Sequence, residues 1–146
     1  MELPVTNAKR AIRFYRDVFQ WNIHEEGYDQ QFDGIERVYF FNKGNFRGSL
    51  NLVRKDQFFD MSAAATSSLL GDDVTIKEQQ WRPLLGATSS FAVEDMDETL
   101  EKIVNGGGRI FQDKQTLGRG MYSIAKFIDT EGNIFALFSF HILDSD

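Results

Sequence analysis

Few residues in this chain can do chemistry, and most that can stand alone. His24 and His141 are the sole histidines and there is no cysteine. Neither imidazole has a partner at the spacing of a metal site or a catalytic triad. His24 alternates away from Trp21 and Ile23, and His141 follows the last apolar run, so both read as ordinary strand or surface residues. No G-x-S-x-G or P-loop pattern occurs, and NGGGR at 105–109 reads as a helix terminator, not a phosphate cradle. Lys9, Arg10, Arg13 and Arg16 lie at helical spacing opposite an apolar stripe, which is the pattern of a solvated helix face. Tyr39, Tyr122 and Phe138 lie in strand-like runs, where core is the plainer reading and a stacking surface the sharper one.

The whole chain narrows the classes. Its 146 residues suit one domain, and 42% hydrophobic content with fourteen Phe supplies a core and argues against disorder. A formal charge of −6, from 22 acidic and 16 basic residues, makes nucleic acid a poor partner. It is compatible with a cationic ligand, although overall charge does not locate pocket charge. The absence of cysteine excludes disulfides and thiolate metal sites and fits a reducing compartment. No run approaches a membrane span, and MELPVTNAKR lacks the apolar region of a signal peptide. The expectation is a cytoplasmic protein without membrane contact.

The elements that position these residues come in two similar sets. MELPV reads as a strand, Asn7 as an N-cap, and Ala8, Ala11, Ile12, Tyr15, Val18 and Phe19 as one helical face. Strands follow from Trp21, over 36–41 and over 49–53. In the second half, 89–93 reads as a strand and Asp95 with Glu98 as a capping box. Met96, Leu100, Ile103 and Val104 make a helical face that ends at Gly106 to Gly108. Strands follow over 109–112, 122–128 and 133–140. Both halves read strand, helix, strand, strand, strand, the signature of an internal duplication. The expected organisation is one domain over 1–146: module 1 (1–54), a connecting arm (55–87) and module 2 (88–146). Within the arm, 62–70 could form a short helix and 75–81 could be extended. The closing turn DTEGN calls for a positive φ at Gly132.

Three stretches in order, FYRDVFQWNI (14–23), VEDMDETLEKIVNGGGRI (93–110) and FIDTEGNIFALF (127–138), resemble the vicinal oxygen chelate superfamily. This is the glyoxalase, bleomycin-resistance and dioxygenase group. The resemblance implies an α+β fold of two βαβββ modules whose strands curl into a mixed sheet around a central bowl. It says less about function, because that fold serves lyases, dioxygenases, isomerases and metal-free binding proteins.

In the metal-dependent members four bowl-facing side chains hold a divalent ion. The resemblance puts those positions at Ala136, where a carboxylate is usual, at Thr88, where a histidine is usual, at Asn51, and at a position ahead of Met1. Neutral oxygens and a methyl group do not make a set for such a cation. Neither a metal nor another cofactor is therefore expected. Glu2 alternates onto the same face as the missing position; for Lys126 a solvated edge position is the plainer reading, and reaching into the bowl to meet an acidic ligand the sharper one. The pocket candidates are Glu2, Asn51, Thr88 and Ser90, with Tyr39, Tyr122, Ala136 and Phe138. The expected function is binding of a small, partly apolar organic molecule. The alternatives are a metal-dependent lyase or dioxygenase, a metal-free isomerase with a base such as Glu2, and a pocketless scaffold that mainly dimerises. A homodimer that closes the bowl across two chains stays open.

Overall fold

The computed structural model describes residues 1–32, 34–63 and 87–141. The arm's expected helix (62–70) lies largely, and its extended stretch (75–81) wholly, outside these. Each half forms one mixed sheet around one crossover helix. In the first half, β1 (Glu2–Val5) runs into α1 (Ala8–Phe19), followed by β2 (Asn22–Ile23), β3 (Tyr28–Phe32), β4 (Ile35–Lys43) and β5 (Phe46–Val53). Its sheet has the order β1-β5-β4-β2, and β3 also pairs with β4. In the second half, β6 (Ser90–Ala92) runs into α2 (Met96–Asn105), then β7 (Arg109–Leu117), β8 (Tyr122–Ile128) and β9 (Ile134–Phe140), in the order β6-β9-β8-β7. The first strand of each half lies parallel to its last strand. Parallel pairing needs a long crossover, which is why a helix follows each first strand.

The helices begin where the caps place them. Asn7 accepts a hydrogen bond from Arg10 N at 3.0 Å, and Asp95 accepts one from Glu98 N at 2.9 Å. Helix α1 buries the expected face with Phe14 added. Helix α2 buries Met96 and Ile103, but Val104 is 53% exposed, because it lies a turn's fraction beyond the stripe that meets the sheet. Three strand expectations need amending. Strand β3 has no clear alternation in its sequence, YDQQF, and was not anticipated. Strand β7 continues to Leu117 through two register shifts, which break the period-2 pattern that would have extended it. Strand β2 is only two residues long.

One core serves both halves. Trp21 stacks between Tyr15 and Phe41, at centroid distances of 4.4 and 4.2 Å. From α1, Phe14 and Phe19 reach Phe127 and Phe91 of the second sheet, and Phe91 meets Phe135 at 5.1 Å. Ring pairs of this kind add about 0.5–1.5 kcal/mol each beyond their area burial.

The closing turn locks the halves together. Asp129, Glu131 and Asn133 are all buried. Asp129 accepts hydrogen bonds from the backbone of Glu131 and Asn133, from Asn133 Nδ2 and from Tyr15 Oη. Burial pushes its carboxyl above the usual range, against the pull of these donors. Burial and the adjacent Asp129 also hold the Tyr15 hydroxyl protonated, so it remains a donor. Glu131 accepts from Thr6 N at 3.0 Å, Asn7 N at 2.9 Å and Arg10 Nε at 2.6 Å. A carboxylate of the second half thus caps the first helix, where the helix dipole favours negative charge. Asn133 Nδ2 adds a bond to Pro4 O.

Two substitutions test this lock. Glu131→Ala leaves two partly buried amides unpaired and should cost about 2–4 kcal/mol in urea denaturation, with Glu131→Gln intermediate. Gly132 has φ +102°, and a Cβ there would lie 2.6 Å from Asp60 Oδ1. Gly132→Val should lower stability by about 1 kcal/mol or more. An unchanged melting temperature would refute the role given to the turn.

Candidate functional site

Strand alternation gives each sheet two faces, one laid on the helices. In the second sheet Ala125, Phe127, Phe135 and Leu137 point into the core. The far face then carries Tyr122, Ile124 and Lys126 on β8, and Ala136, Phe138 and Phe140 on β9. Register aligns them in rows. Gln112, Lys126, Ala136 and Ser90 lie side by side across all four strands. The next row holds Gln115, Ile124, Phe138 and Ala92, and the one beyond it Leu117, Tyr122 and Phe140. Tyr122 and Phe138 have centroids 5.6 Å apart, and Phe138 meets Phe140 edge-on at 4.5 Å.

In the first sheet Leu3, Val5, Leu50 and Phe41 face the core. The far face has Pro4, Asn51, Val38 and Tyr28 in one row, and Glu2, Ser49 and Phe40 in the next. Asn51 is 7% exposed, and its Oδ1 is fully buried with no hydrogen-bond partner among the described residues. Such a group costs about 1–3 kcal/mol and is uncommon in native proteins. An open depression of about 580 Å³ lies at one end of this face, between Glu2, His24, Phe40, Arg47 and Ser49.

The candidates divide accordingly. Ser90, Tyr122, Ala136 and Phe138 share the far face of the second sheet; Glu2 and Asn51 share that of the first. Thr88 is exposed and precedes β6. Tyr39 does not join them. It is registered with Leu50 and packs against the core, because the unbroken pairing from Arg37 to Lys43 puts it on the same side as Phe41. Of the histidines, His24 lines the depression, while His141 Nε2 lies 2.7 Å from Ser123 Oγ. Ser123 is fully buried whereas His141 is exposed, so the pair ties the end of β9 to β8 and leaves only the imidazole at the surface. The buried acids Asp129 and Glu131 went unanticipated as more than turn chemistry; their only signal was two carboxylates in a turn between two apolar runs.

The residues to which the resemblance carries the superfamily's metal positions do not suit an ion. Thr88 supplies a hydroxyl, Asn51 an amide and Ala136 no donor at all. Among the described residues no group of three or more His, Cys, Asp or Glu could hold an ion.

Comparison with known proteins gives a consistent family. A sequence model of the Glyoxalase/Bleomycin resistance protein/Dioxygenase superfamily matches residues 1–137. A glyoxylase-like domain-containing protein of Didymella fabae is 24% identical over 137 residues, covering 94% of this chain and 88% of that one. Among solved structures, a glyoxalase family protein of Enterococcus faecalis superposes with a TM-score of 0.62 at 13% identity, covering 94% of this chain and 93% of its own. Glyoxalase I of Zea mays also gives 0.62, at 18% identity over 94% of this chain, which spans only 42% of the maize chain. A family enzyme of Burkholderia phytofirmans gives 0.59 at 14% identity, covering 97% and 96%. At these identities the structural likeness carries the fold alone. With the family model covering nearly the whole sequence, the chain belongs to the Glyoxalase/Bleomycin resistance protein/Dioxygenase superfamily.

Proposed function

We propose that this chain binds a small organic molecule in the bowl between its far sheet faces, without a resident metal ion. The observation that carries the reading is the buried, unpartnered Oδ1 of Asn51. This oxygen is covered in the free protein, so a ligand hydroxyl or amine that supplies its missing donor would displace a neighbouring side chain as it binds. On the far face of the second sheet Ala136 and Ser90 are small side chains, and Phe138 and Tyr122 offer rings for stacking. A four-ligand metal enzyme is disfavoured by the chemistry of Thr88, Asn51 and Ala136.

Thermal shift against a library of small aromatic and heteroaromatic compounds tests the reading, since a ligand selective for the native state raises its stability. Ala136→Phe should melt near the wild type but lose the ligand response, because a pocket accepts bulk that a close-packed core does not. A loss of about 1–3 kcal/mol would instead mark position 136 as ordinary core. Asn51→Leu should hold or raise the stability of the free protein, by about 1 kcal/mol, and abolish the same response.

Elemental analysis should find no stoichiometric zinc, nickel, iron or manganese. One ion per chain, lost on Thr88→Val with Asn51→Leu, would overturn the metal-free reading.

A further inference from the structure

We infer that the bowl selects an aromatic acid, with Lys126 pairing to the carboxylate while Tyr122 and Phe138 take the ring. This deepens the binding function proposed above and rests on it. Strands β8 and β9 read YSIAKFI and IFALFSF, and Lys126 is the one charged residue in either. It lies mid-strand in β8, which is itself an interior strand between β7 and β9. Its neighbours Ala125 and Phe127 are 1% and 0% exposed in the core, so its side chain leaves on the far face. There it is half-buried.

A half-buried ammonium loses hydration and needs an anion to offset the loss. Among the described residues Lys126 has no ion pair, whereas Lys102 and Lys114 each hold a carboxylate within 3.0 Å. Its register neighbours are Gln112 and Ala136. The first is neutral, and the second is too short to cover it. The pairing position is therefore left to something outside these strands.

The spacing of the face sets the size of that anion. Residues two apart on a strand repeat at about 7 Å. Phe138 lies one such step from the row of Lys126, and Tyr122 lies two. A carboxylate joined to a bicyclic ring, directly or through one carbon, spans the first step and reaches toward the second. Ser90, in the row of Lys126, offers a hydroxyl to the other carboxylate oxygen. A net charge of −6 opposes any anion at long range, so a preference for acid over neutral analogue reports local groups, and its loss in Lys126→Met separates the cation from neutral donors such as Ser90.

Titration calorimetry with 1-naphthoate, 1-naphthamide and 1-naphthylmethylammonium on the intact chain tests this. The carboxylate should bind about tenfold or more tighter than the amide, and the ammonium weakest. Lys126→Met should bring the acid-to-amide ratio to about one with the amide affinity unchanged, and Lys126→Arg should restore most of it. An amide or ammonium that matches the carboxylate overturns the inference, as does a preference that survives Lys126→Met. The wild-type ratio decides the matter even if a variant folds poorly. Neutral probes that bind in a manner sensitive to Ala136→Phe, with no acid preference, sink the acid alone. No binding by any probe sinks the acid and the bowl together.

Discussion

The docking of the closing turn onto the start of α1 is the interaction on which the arrangement of the two halves depends. Glu131 accepts from Thr6 N, Asn7 N and Arg10, Asp129 accepts from Tyr15, and Asn133 donates to Pro4. Burying two carboxylates is costly unless each is paired and hydrogen-bonded. Here the donors are backbone amides at a helix N-terminus, a guanidinium and a phenol that stays protonated. Few other relative positions of the halves would satisfy both acids at once. The aromatic core supplies more free energy, but burial is nondirectional and would tolerate a slide of one sheet on the other. Polar satisfaction selects one placement among those that bury the rings.

That placement separates a satisfied side of the molecule from a receptive one. On the helix side each buried acid of the turn has several donors. On the far faces, among the described residues, Asn51 keeps an acceptor without a donor and Lys126 a charge without an ion pair, with small residues and partly exposed rings on the same faces. Both are local departures from the economy of the rest of the fold, and such departures concentrate where a ligand completes the structure. A shared fold does not fix the chemistry it hosts, so the side chains present in this chain carry the functional argument.

Much of the architecture was legible in the residues. Asn7 and Asp95 mark the helix starts because short polar side chains can accept from the first free amides. The duplication is visible because each half repeats its order of elements at similar spacing. Strand β3 was hidden, since YDQQF has no apolar alternation and is held by pairing with β4. The far end of β7 was hidden by its register shifts.

The candidate site divides along the same line. Sequence alone determined which residues share a face, because a strand's period of two needs no partner. It let Ala136 and Phe138 be taken together as pocket candidates, and the resemblance carried two of the superfamily's metal positions to Ala136 and Thr88, which lack the usual donors. Tertiary structure decided which face turns to the core. Tyr39 went inward because pairing with β5 sets it opposite Leu50 on the core side, a choice that the run Tyr39, Phe40, Phe41 leaves open by itself. It also decided that Asp129 and Glu131 are buried, since a turn's polarity reads as exposure until a helix end from the other half supplies its donors. The isolation of Lys126 belongs to both. Its lone charge is written in the strand, but the lack of a partner follows from which neighbours the sheet sets beside it.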